Sequence, residues 1–304
     1  MKNQKHKSIE LSYSKLIAGT MLWGSWGKEM TKVKRIELIE TAFKMGITSF
    51  DHADIYGNYT TEKDFGIAFA ESGLPRDKVQ FISKCGIAMV CENKPYKTKH
   101  YNYDSSYIID AVHASLKQLK TDYLDLLLLH RPSPLLNPEE VAKAVDFLLD
   151  SGKILSFGVS NFTSSQIDLL ANYIPIHVNQ IEISLTHNEP MFDGQLNYCQ
   201  RKHILPMSWS PLGILKKPQS QWPSKLQYAI FKLTKKYDCG FASIALAWLL
   251  KHPAKIHPIL GTTNPNRLIE AQQALQIQLN EEDWFFLLEA VRAVSYTHLR
   301  AHET

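Results

Sequence analysis

Four side chains that could move a proton lie at or just past the ends of apolar, strand-like runs: Asp51, Tyr56, Lys84 and His130. A tyrosine has an ordinary pKa of about 10, which makes it a poor acid near neutral pH. We expect the ammonium of Lys84 to stabilise the phenolate of Tyr56 and lower its pKa, while Asp51 holds Lys84 charged and oriented. His130 would hydrogen-bond a carbonyl oxygen and fix its angle. Together the four residues predict a site that protonates the alkoxide formed when a carbonyl accepts a hydride, and that oxidises alcohols in reverse.

Each of these residues has a simpler explanation when it is taken alone. The lysine could form a salt bridge at a strand end, the tyrosine could pack, and the histidine could be a hydrogen-bonded core residue. Their joint occurrence at the ends of consecutive strand units favours the catalytic interpretation. His52 and Asp54 flank the same loop, so a metal site with Asp51 is a further alternative. We expect no metal.

The elements that must position these residues are short β-like runs, which alternate with helical patterns from about residue 16 onward. Apolar residues at Ile108, Val112, Leu116 and Leu119 recur at the spacing of an amphipathic helix. The segment Asn137-Pro138-Glu139-Glu140 has the composition of a helix N-terminus. The predicted strands are Lys15–Met21, Thr48–Asp51, Gln80–Lys84, Leu124–His130, Ser156–Ser160, His177–Ile181, Leu205–Trp209 and Pro258–Leu260.

Repeated strand–helix units along one chain imply parallel strands joined by right-handed crossovers. Eight units favour a closed (β/α)8 TIM barrel, an α/β fold, over an open sheet, and residues 1–294 are predicted to form a single domain. Active sites of such barrels are built at the C-terminal ends of the strands, where the four proton-transfer residues fall. Ser8 to Ser14 is predicted to form a short N-terminal β-hairpin that closes the barrel bottom.

Three long connections follow predicted strands, and we expect them to shape a substrate pocket. They are Gly86–Asp104, Arg131–Leu136 and Gly213–Ser224. The first of them carries three tyrosines that either line the pocket or pack the loop. These tyrosines are Tyr96, Tyr101 and Tyr103.

Composition limits the class of protein. The chain has 304 residues, 44% hydrophobic residues and a formal net charge of +4, with basic residues scattered rather than clustered, so we expect no nucleic-acid partner. The four cysteines form no Cys-x-x-Cys pair, and no signal peptide or membrane span is visible. We expect a cytoplasmic protein without a membrane partner, acting on a small molecule as a monomer or small homo-oligomer.

A hydride must come from a cofactor, because no side chain donates one. The dinucleotide motif G-x-G-x-x-G is absent. Polar residues at the ends of later strands could bind a nicotinamide cofactor instead, and Trp209 offers a flat face for its ring. Gly261-Thr262-Thr263-Asn264 precedes a helix start that favours phosphate, and Arg267 suits an anionic phosphate oxygen. The polar residues at strand ends are Ser160, Asn161, Gln180 and Ser210.

These segments, taken in order, resemble the aldo-keto reductase family over roughly residues 9 to 293, and His130-Arg-Pro-Ser-Pro is more similar to its bacterial branch of uncharacterised oxidoreductases than to the vertebrate enzymes. The resemblance implies a TIM barrel, NADPH and carbonyl reduction, with Tyr56 as the acid of the tetrad. It also implies that Ser160, Asn161 and Gln180 hold the carboxamide, that Trp209 stacks on nicotinamide, and that Arg267 contacts the 2′-phosphate. The matched segments are Phe50-Asp-His-Ala-Asp-Ile-Tyr-Gly57, Leu128-Leu-His130, Gly158-Val-Ser-Asn161, Trp209-Ser-Pro-Leu212-Gly213, and Leu260-Gly-Thr-Thr263 through Arg267.

Two positions depart from the pattern of that family. Gly261 stands where many members have a lysine beside the adenosine phosphate, and Ala271 stands where many have an asparagine facing adenine. Arg267 still favours NADPH, while NADH remains an alternative cofactor.

Two other interpretations of the function stay open at this point. A cofactor-binding regulatory subunit, similar to the reductase-shaped β-subunits of potassium channels, would bind NADPH and turn over slowly. A different barrel enzyme, such as a metal hydrolase, would need no NADPH.

The last residues form a separate segment. Ser295 to Thr304 does not resemble the ending of the family and looks like a translated sequencing adapter. We predict that residues 295–304 are not native, which resequencing of the genomic locus would test.

Overall fold

The computed structural model describes residues 12–292. Eight of its strands are parallel and close into a barrel in the order β1-β10-β9-β8-β7-β6-β3-β2, while β4 and β5 form a separate antiparallel ribbon. The strands, in chain order, are β1 Ile17–Gly19, β2 Ser49–Asp51, β3 Gln80–Cys85, β4 Ile87–Ala88, β5 His100–Tyr101, β6 Leu126–Leu129, β7 Phe157–Ser160, β8 Val178–Glu182, β9 Leu205–Trp209 and β10 His257–Leu260.

Helices follow the barrel strands and surround the barrel. None of the helices within residues 12–292 combines the length and apolar character that crossing a membrane requires. The helices are α1 Lys32–Lys44, α2 Tyr56–Tyr59, α3 Thr61–Ser72, α4 Ser105–Leu119, α5 Pro138–Asp150, α6 Ser164–Ala171, α7 Gln195–Lys202, α8 Ser224–Tyr237, α9 Phe241–Leu250, α10 Pro265–Gln272 and α11 Glu281–Val291.

Strand β6 shows how the apolar runs build the core. All four of its leucines are buried; Leu126 and Leu128 belong to a cluster drawn from the barrel strands, and Leu127 and Leu129 belong to the larger cluster that includes the helices. Alternate residues of a strand point to opposite faces, so a strand covered on both faces is apolar throughout. A polar residue directly after such a strand, such as His130, therefore lies at the C-terminal rim of the barrel.

The predicted barrel is confirmed, and each of the eight predicted strands overlaps an observed one. Two predicted helical features are also present: Asn137 caps α5 by accepting a hydrogen bond from the Glu139 N–H, and Pro138 begins the helix. The connection Gly86–Asp104 is more ordered than predicted, because β4 and β5 pair within it.

Two predictions fall largely or wholly outside the described residues. The hairpin Ser8–Ser14 has only residues 12–14 within them, and these three form no strand. The backbone N–H of Ser14 donates to Ser49 Oγ at 2.9 Å, next to the start of β2. The predicted non-native tail, residues 295–304, lies outside the described residues.

Candidate active site

The four proton-transfer residues converge around one buried ammonium. Lys84 on β3 is 1% exposed, and its Nζ donates to Asp51 Oδ1 and Oδ2 at 2.8 Å each and to the Tyr56 hydroxyl at 3.1 Å. The His52 carbonyl also accepts from Nζ at 2.6 Å, so the three N–H groups of the ammonium serve four oxygens. The rings of Tyr56 and His130 meet edge to face at 6.0 Å between centroids. The parallel strands β2, β3 and β6 end at the same rim, and this brings together residues that are distant in the sequence.

A left-handed turn fixes Tyr56 after β2. Gly57, Asn58 and Tyr59 all have positive φ, at 57°, 57° and 68°. A Cβ on Gly57 would lie 2.4 Å from Thr61 Oγ1, so only glycine fits there. The Tyr59 hydroxyl donates to the Ile87 carbonyl at 3.1 Å and accepts from the Met89 N–H at 2.9 Å, which joins this turn to β4.

Burial keeps the Tyr56 phenol protonated. Burial raises its pKa above 10.0, and the nearby Lys84 ammonium lowers the pKa by a smaller amount. Lys84 lowers the pKa of Tyr56 as expected, but the loss of solvent outweighs it, and the net shift is upward. Tyr56 is consequently a neutral acid at physiological pH.

The neighbours of Tyr56 hold complementary charge states. Burial lowers the pKa of Lys84, but Asp51 and Tyr56 more than compensate, so the net shift is upward and Lys84 is an ammonium. Burial, followed by the positive charge of Lys84, lowers the pKa of His130 well below 6.5. A neutral His130 can donate one hydrogen bond to a carbonyl oxygen without competing as the acid.

A chain of hydrogen bonds links the predicted cofactor residues to the tetrad. Trp209 Nε1 donates to Asn161 Oδ1 at 3.0 Å, and Asn161 Nδ2 donates to Ser160 Oγ at 2.8 Å. Ser160 Oγ donates to the Gln180 carbonyl at 3.0 Å, and Gln180 Nε2 donates to Asp51 Oδ1 at 2.8 Å. Gln180, predicted to hold a carboxamide, therefore also braces the carboxylate that binds the lysine.

These residues border one cavity of about 570 Å³ at the C-terminal end of the barrel. Lys84 and Thr263 do not line it, so the lysine reaches a substrate only through Tyr56. The predicted residues that do line it are Asp51, Tyr56, His130, Ser160, Asn161, Gln180, Trp209, Ser210, Leu212, Gly261, Thr262 and Arg267.

The alternative metal site is not supported by the positions of its residues. His52 packs edge to face on Phe65 at 4.3 Å and pairs through Nδ1 with Thr20 Oγ1 at 2.9 Å, so it serves the core. Asp54 is buried, and burial raises its pKa well above 3.8. Within residues 12–292 no group of three His, Cys, Asp or Glu side chains is placed to hold a metal ion.

Comparison with known proteins agrees with this geometry. The model of the aldo/keto reductase family matches residues 15–290. The chain belongs to the aldo/keto reductase family.

Relatives of the reductase come from several bacteria. It is 40% identical to the uncharacterized oxidoreductase YcsN of Bacillus subtilis, over 93% of this chain and 96% of the relative. It is 37% identical to a 6-dehydroglucose reductase of Agrobacterium fabrum, over 92% and 95%. A solved aldo/keto reductase of Klebsiella pneumoniae, in complex with NADP and acetate, shares the fold with a TM-score of 0.77, 22% identity and 92% coverage of both chains.

Aldo-keto reductases use nicotinamide cofactors, and the residues of this reductase fit one. Ser210 and Gly213 both have a φ of 50° in a turn closed by the Gly213 N–H on the Ser210 carbonyl at 2.9 Å, a backbone form suited to anions. Arg267 lines the cavity and makes no ion pair with a described residue. The indole of Trp209, held by its hydrogen bond to Asn161, lines the same cavity. Bound there, a reduced nicotinamide cofactor would supply the hydride.

Several residues that line the cavity were not among the site residues predicted from the sequence. Arg131 directly follows His130, and its position next to a predicted catalytic residue was a signal that could have identified it. The others include Ile87 and Lys99, which lie in the connection Gly86–Asp104 that was expected to shape the pocket, and Trp26, which no local pattern marks.

The three loop tyrosines have different roles. Tyr101 lines the cavity, and Tyr96 does not. Tyr103 is buried, and its hydroxyl donates to the Arg131 carbonyl and accepts from the Arg131 N–H at 3.3 Å. The Tyr103 side chain therefore anchors the segment that follows His130.

Proposed function

We propose that this chain is an NADPH-dependent reductase of aldehydes or ketones, with Tyr56 as the general acid. The observation that carries the proposal is the Tyr56 hydroxyl at 3.1 Å from Lys84 Nζ, in a cavity that also contains His130 and Trp209. A residue that must give up a proton needs a group that stabilises the anion left behind, and the ammonium does this.

The proton and hydride reach opposite ends of the carbonyl bond. A hydride adds to the carbonyl carbon, and the Tyr56 O–H protonates the oxygen as the alkoxide develops. Lys84 then stabilises the phenolate, and Asp51 keeps Lys84 in place. His130 holds the carbonyl oxygen beside the phenol. The reverse sequence oxidises an alcohol.

The preference for NADPH rests on Arg267. Its guanidinium is available in the cavity for a 2′-phosphate, which NADH lacks. The Klebsiella pneumoniae relative binds NADP, which supports the same assignment. Gly261 and Ala271 offer no such contact. NADH is expected as a weaker cofactor because it has no 2′-phosphate for Arg267 to bind.

Carbonyl-dependent oxidation of the cofactor tests the proposal. Purified protein is given NADPH or NADH with a panel of aldehydes, ketones and aldehyde-bearing sugars; the sugars are included because one relative is a 6-dehydroglucose reductase. We expect turnover with NADPH. Tight NADPH binding with no turnover on any carbonyl would contradict an enzyme and favour the regulatory-subunit alternative.

We further propose that the reductase acts in the cytoplasm as a monomer or small homo-oligomer. Cys85, Cys91, Cys199 and Cys239 form no disulfide, as expected in a reducing compartment. Cell fractionation with gel filtration tests both points, and enrichment in a membrane or extracellular fraction would contradict the first.

A further inference from the structure

Two cationic side chains, Lys99 and Arg131, line the cavity that contains His130. Lys99 precedes β5, and Arg131 follows His130; both side chains line the cavity. In the part of the chain that the structure describes, neither forms an ion pair. Cations that face a cavity and have no counter-charge attract an anion into it.

The backbone of Arg131 is held in place by hydrogen bonds. Tyr103 hydrogen-bonds both the carbonyl and the N–H of its backbone. Its guanidinium lies 5.4 Å from the centroid of the Trp209 ring. The arginine side chain therefore lies beside the ring that is proposed to stack on the nicotinamide.

Lys99 reaches the same region from the ribbon. Ile87 pairs with Tyr101, and Ala88 pairs with His100. This pairing fixes the backbone next to Lys99, which directly precedes β5. Lys99, Arg131 and His130 line the same cavity. A small substrate bound at His130 therefore shares that cavity with both cations.

The carboxylates of the cavity do not neutralise this pair. Of the residues that line it, Asp51 and Glu270 carry carboxylates. Asp51 is already bound to Lys84, and Glu270 belongs to α10, three residues from Arg267 at the proposed phosphate end. Apolar walls from Trp26 and Ile87 reduce screening by water.

We propose that this site selects carbonyl substrates that carry an oxyanion, a carboxylate or a phosphate, away from the reacting carbonyl. Arg131 would bind the anion through its planar pair of N–H donors, and Lys99 would add a point charge. This proposal rests on the proposed function, because it names the substrate class of the same site.

Two matched pairs of aldehydes distinguish carboxylate from phosphate. The carboxylate pair is 4-carboxybenzaldehyde and methyl 4-formylbenzoate; the phosphate pair is glyceraldehyde 3-phosphate and glyceraldehyde. We expect kcat/KM to favour the anionic member by about tenfold or more in at least one pair, mainly through KM. The ratio should fall as ionic strength rises.

Three variants assign the effect to residues. Arg131→Gln should reduce the anionic-to-neutral ratio by about tenfold, and Lys99→Gln by about threefold, because Lys99 is the more exposed cation. Lys97→Gln is the matched control, since Lys97 is an exposed lysine of the same loop that does not line the cavity. Its ratio should equal that of the unmodified enzyme.

Different failures have different meanings. Equal kcat/KM for both members of both pairs would overturn the anion preference and leave the reductase proposal standing. A loss in Arg131→Gln that is equal for anionic and neutral aldehydes would also overturn it, because the arginine would then only support the structure. No NADPH oxidation with these four aldehydes or with any carbonyl of the wider panel would contradict the proposed function itself.

Discussion

The Lys84 ammonium connects the charges of the site. It binds both oxygens of Asp51, the His52 carbonyl and the Tyr56 hydroxyl while almost completely buried. A buried ammonium is stable only when partners of this kind replace water. Because Asp51 balances its charge, Lys84 can stabilise a phenolate after proton transfer without forcing Tyr56 to ionise beforehand.

The charge states of Tyr56 and His130 predict the pH dependence of reduction. The acid form of Tyr56 persists because burial raises its pKa above 10.0, and His130 is neutral because its pKa lies well below 6.5. We expect kcat/KM for carbonyl reduction to be constant between about pH 6 and about pH 9 and to fall only above about pH 10. A decline centred between about pH 7 and pH 8.5 would show instead that Lys84 lowers the tyrosine pKa.

Gly261 offers a test of cofactor binding. No atom lies within 4 Å of a Cβ built on this residue, and its φ is not in the left-handed region, so a side chain fits. Gly261→Lys would place a second cation near the phosphate end that contains Arg267. We expect NADPH affinity to rise by about fivefold, which corresponds to about 1 kcal/mol.

Titration of the protein fluorescence, to which Trp209 contributes, with NADPH measures this change. NADH is the control ligand, and its affinity should change less because it lacks the 2′-phosphate. Equal gains for both cofactors would show that the new lysine does not recognise that phosphate.

At the scale of elements, two features outside the barrel strands position the active site. The left-handed turn after Tyr56 and the β4–β5 ribbon contact each other through Tyr59, and the ribbon is followed by Tyr103, which anchors Arg131. The barrel strands form the rim, and these two elements position Tyr56 and Arg131 at that rim.

A side chain at Gly86 would disturb this arrangement. Its φ is +106°, and a Cβ there would lie 1.9 Å from Cε1 of Tyr103. We expect Gly86→Ala to lower the free energy of unfolding by about 2 to 4 kcal/mol, because the Tyr103 ring must move, and to reduce kcat/KM through the displaced Arg131.

Chemical denaturation and steady-state kinetics measure the two effects. Gly152→Ala is the control, because Gly152 also has a positive φ of +66° but has no neighbour within 4 Å. It should cost only about 1 kcal/mol and leave the kinetics unchanged. Equal effects of the two substitutions would contradict the role of Tyr103.

The elements differ in how well the sequence predicts them. The eight barrel strands were predictable because their apolar runs are short, separated by helical patterns and bounded by polar residues. The ribbon was not, because the segment between its strands is polar and its two-residue strands carry no periodicity. Its pairing depends on tertiary contacts, which no local pattern encodes.

At the scale of the whole molecule, a buried carboxyl group makes stability depend on pH. Glu62 is 1% exposed, and burial raises its pKa from 4.5 to about 7, although a hydrogen bond from Ser83 at 2.5 Å lowers it in part. Between these two values the folded protein binds a proton that the unfolded chain has lost. Stability therefore falls as pH rises from about 4.5 to about 7, by about 3 kcal/mol from this group, and is then constant with respect to it.

Glu62→Gln removes this contribution. We expect urea denaturation at several pH values to show a smaller loss of stability between pH 5 and pH 7 in the variant than in the unmodified protein. Glu37→Gln, on an exposed position of α1, is the control and should keep the original dependence. An unchanged slope in Glu62→Gln would show that Glu62 is ionised in the folded state.

For the molecule as a whole, sequence predicted the identity of the tetrad better than its electrostatics. Residue type and strand-end position predicted that Asp51, Tyr56, Lys84 and His130 meet, and the structure brings them together, while their catalytic role stays a prediction. The net pKa shift of Tyr56 was not predictable, because it depends on how completely water is excluded. The hydrogen bond from Gln180 to Asp51 was also not predicted from the sequence, because it joins β8 to β2 across the barrel.

The central claim is that Tyr56 donates the proton, and Tyr56→Phe tests it most directly. The substitution keeps the ring and its contacts with Trp26 and His130 but removes the hydroxyl. NADPH binding and aldehyde-dependent NADPH oxidation are measured on the same preparation. If Tyr56 donates the proton, turnover falls by about 10²-fold or more while NADPH affinity changes by less than about twofold. Undiminished turnover in Tyr56→Phe would contradict it.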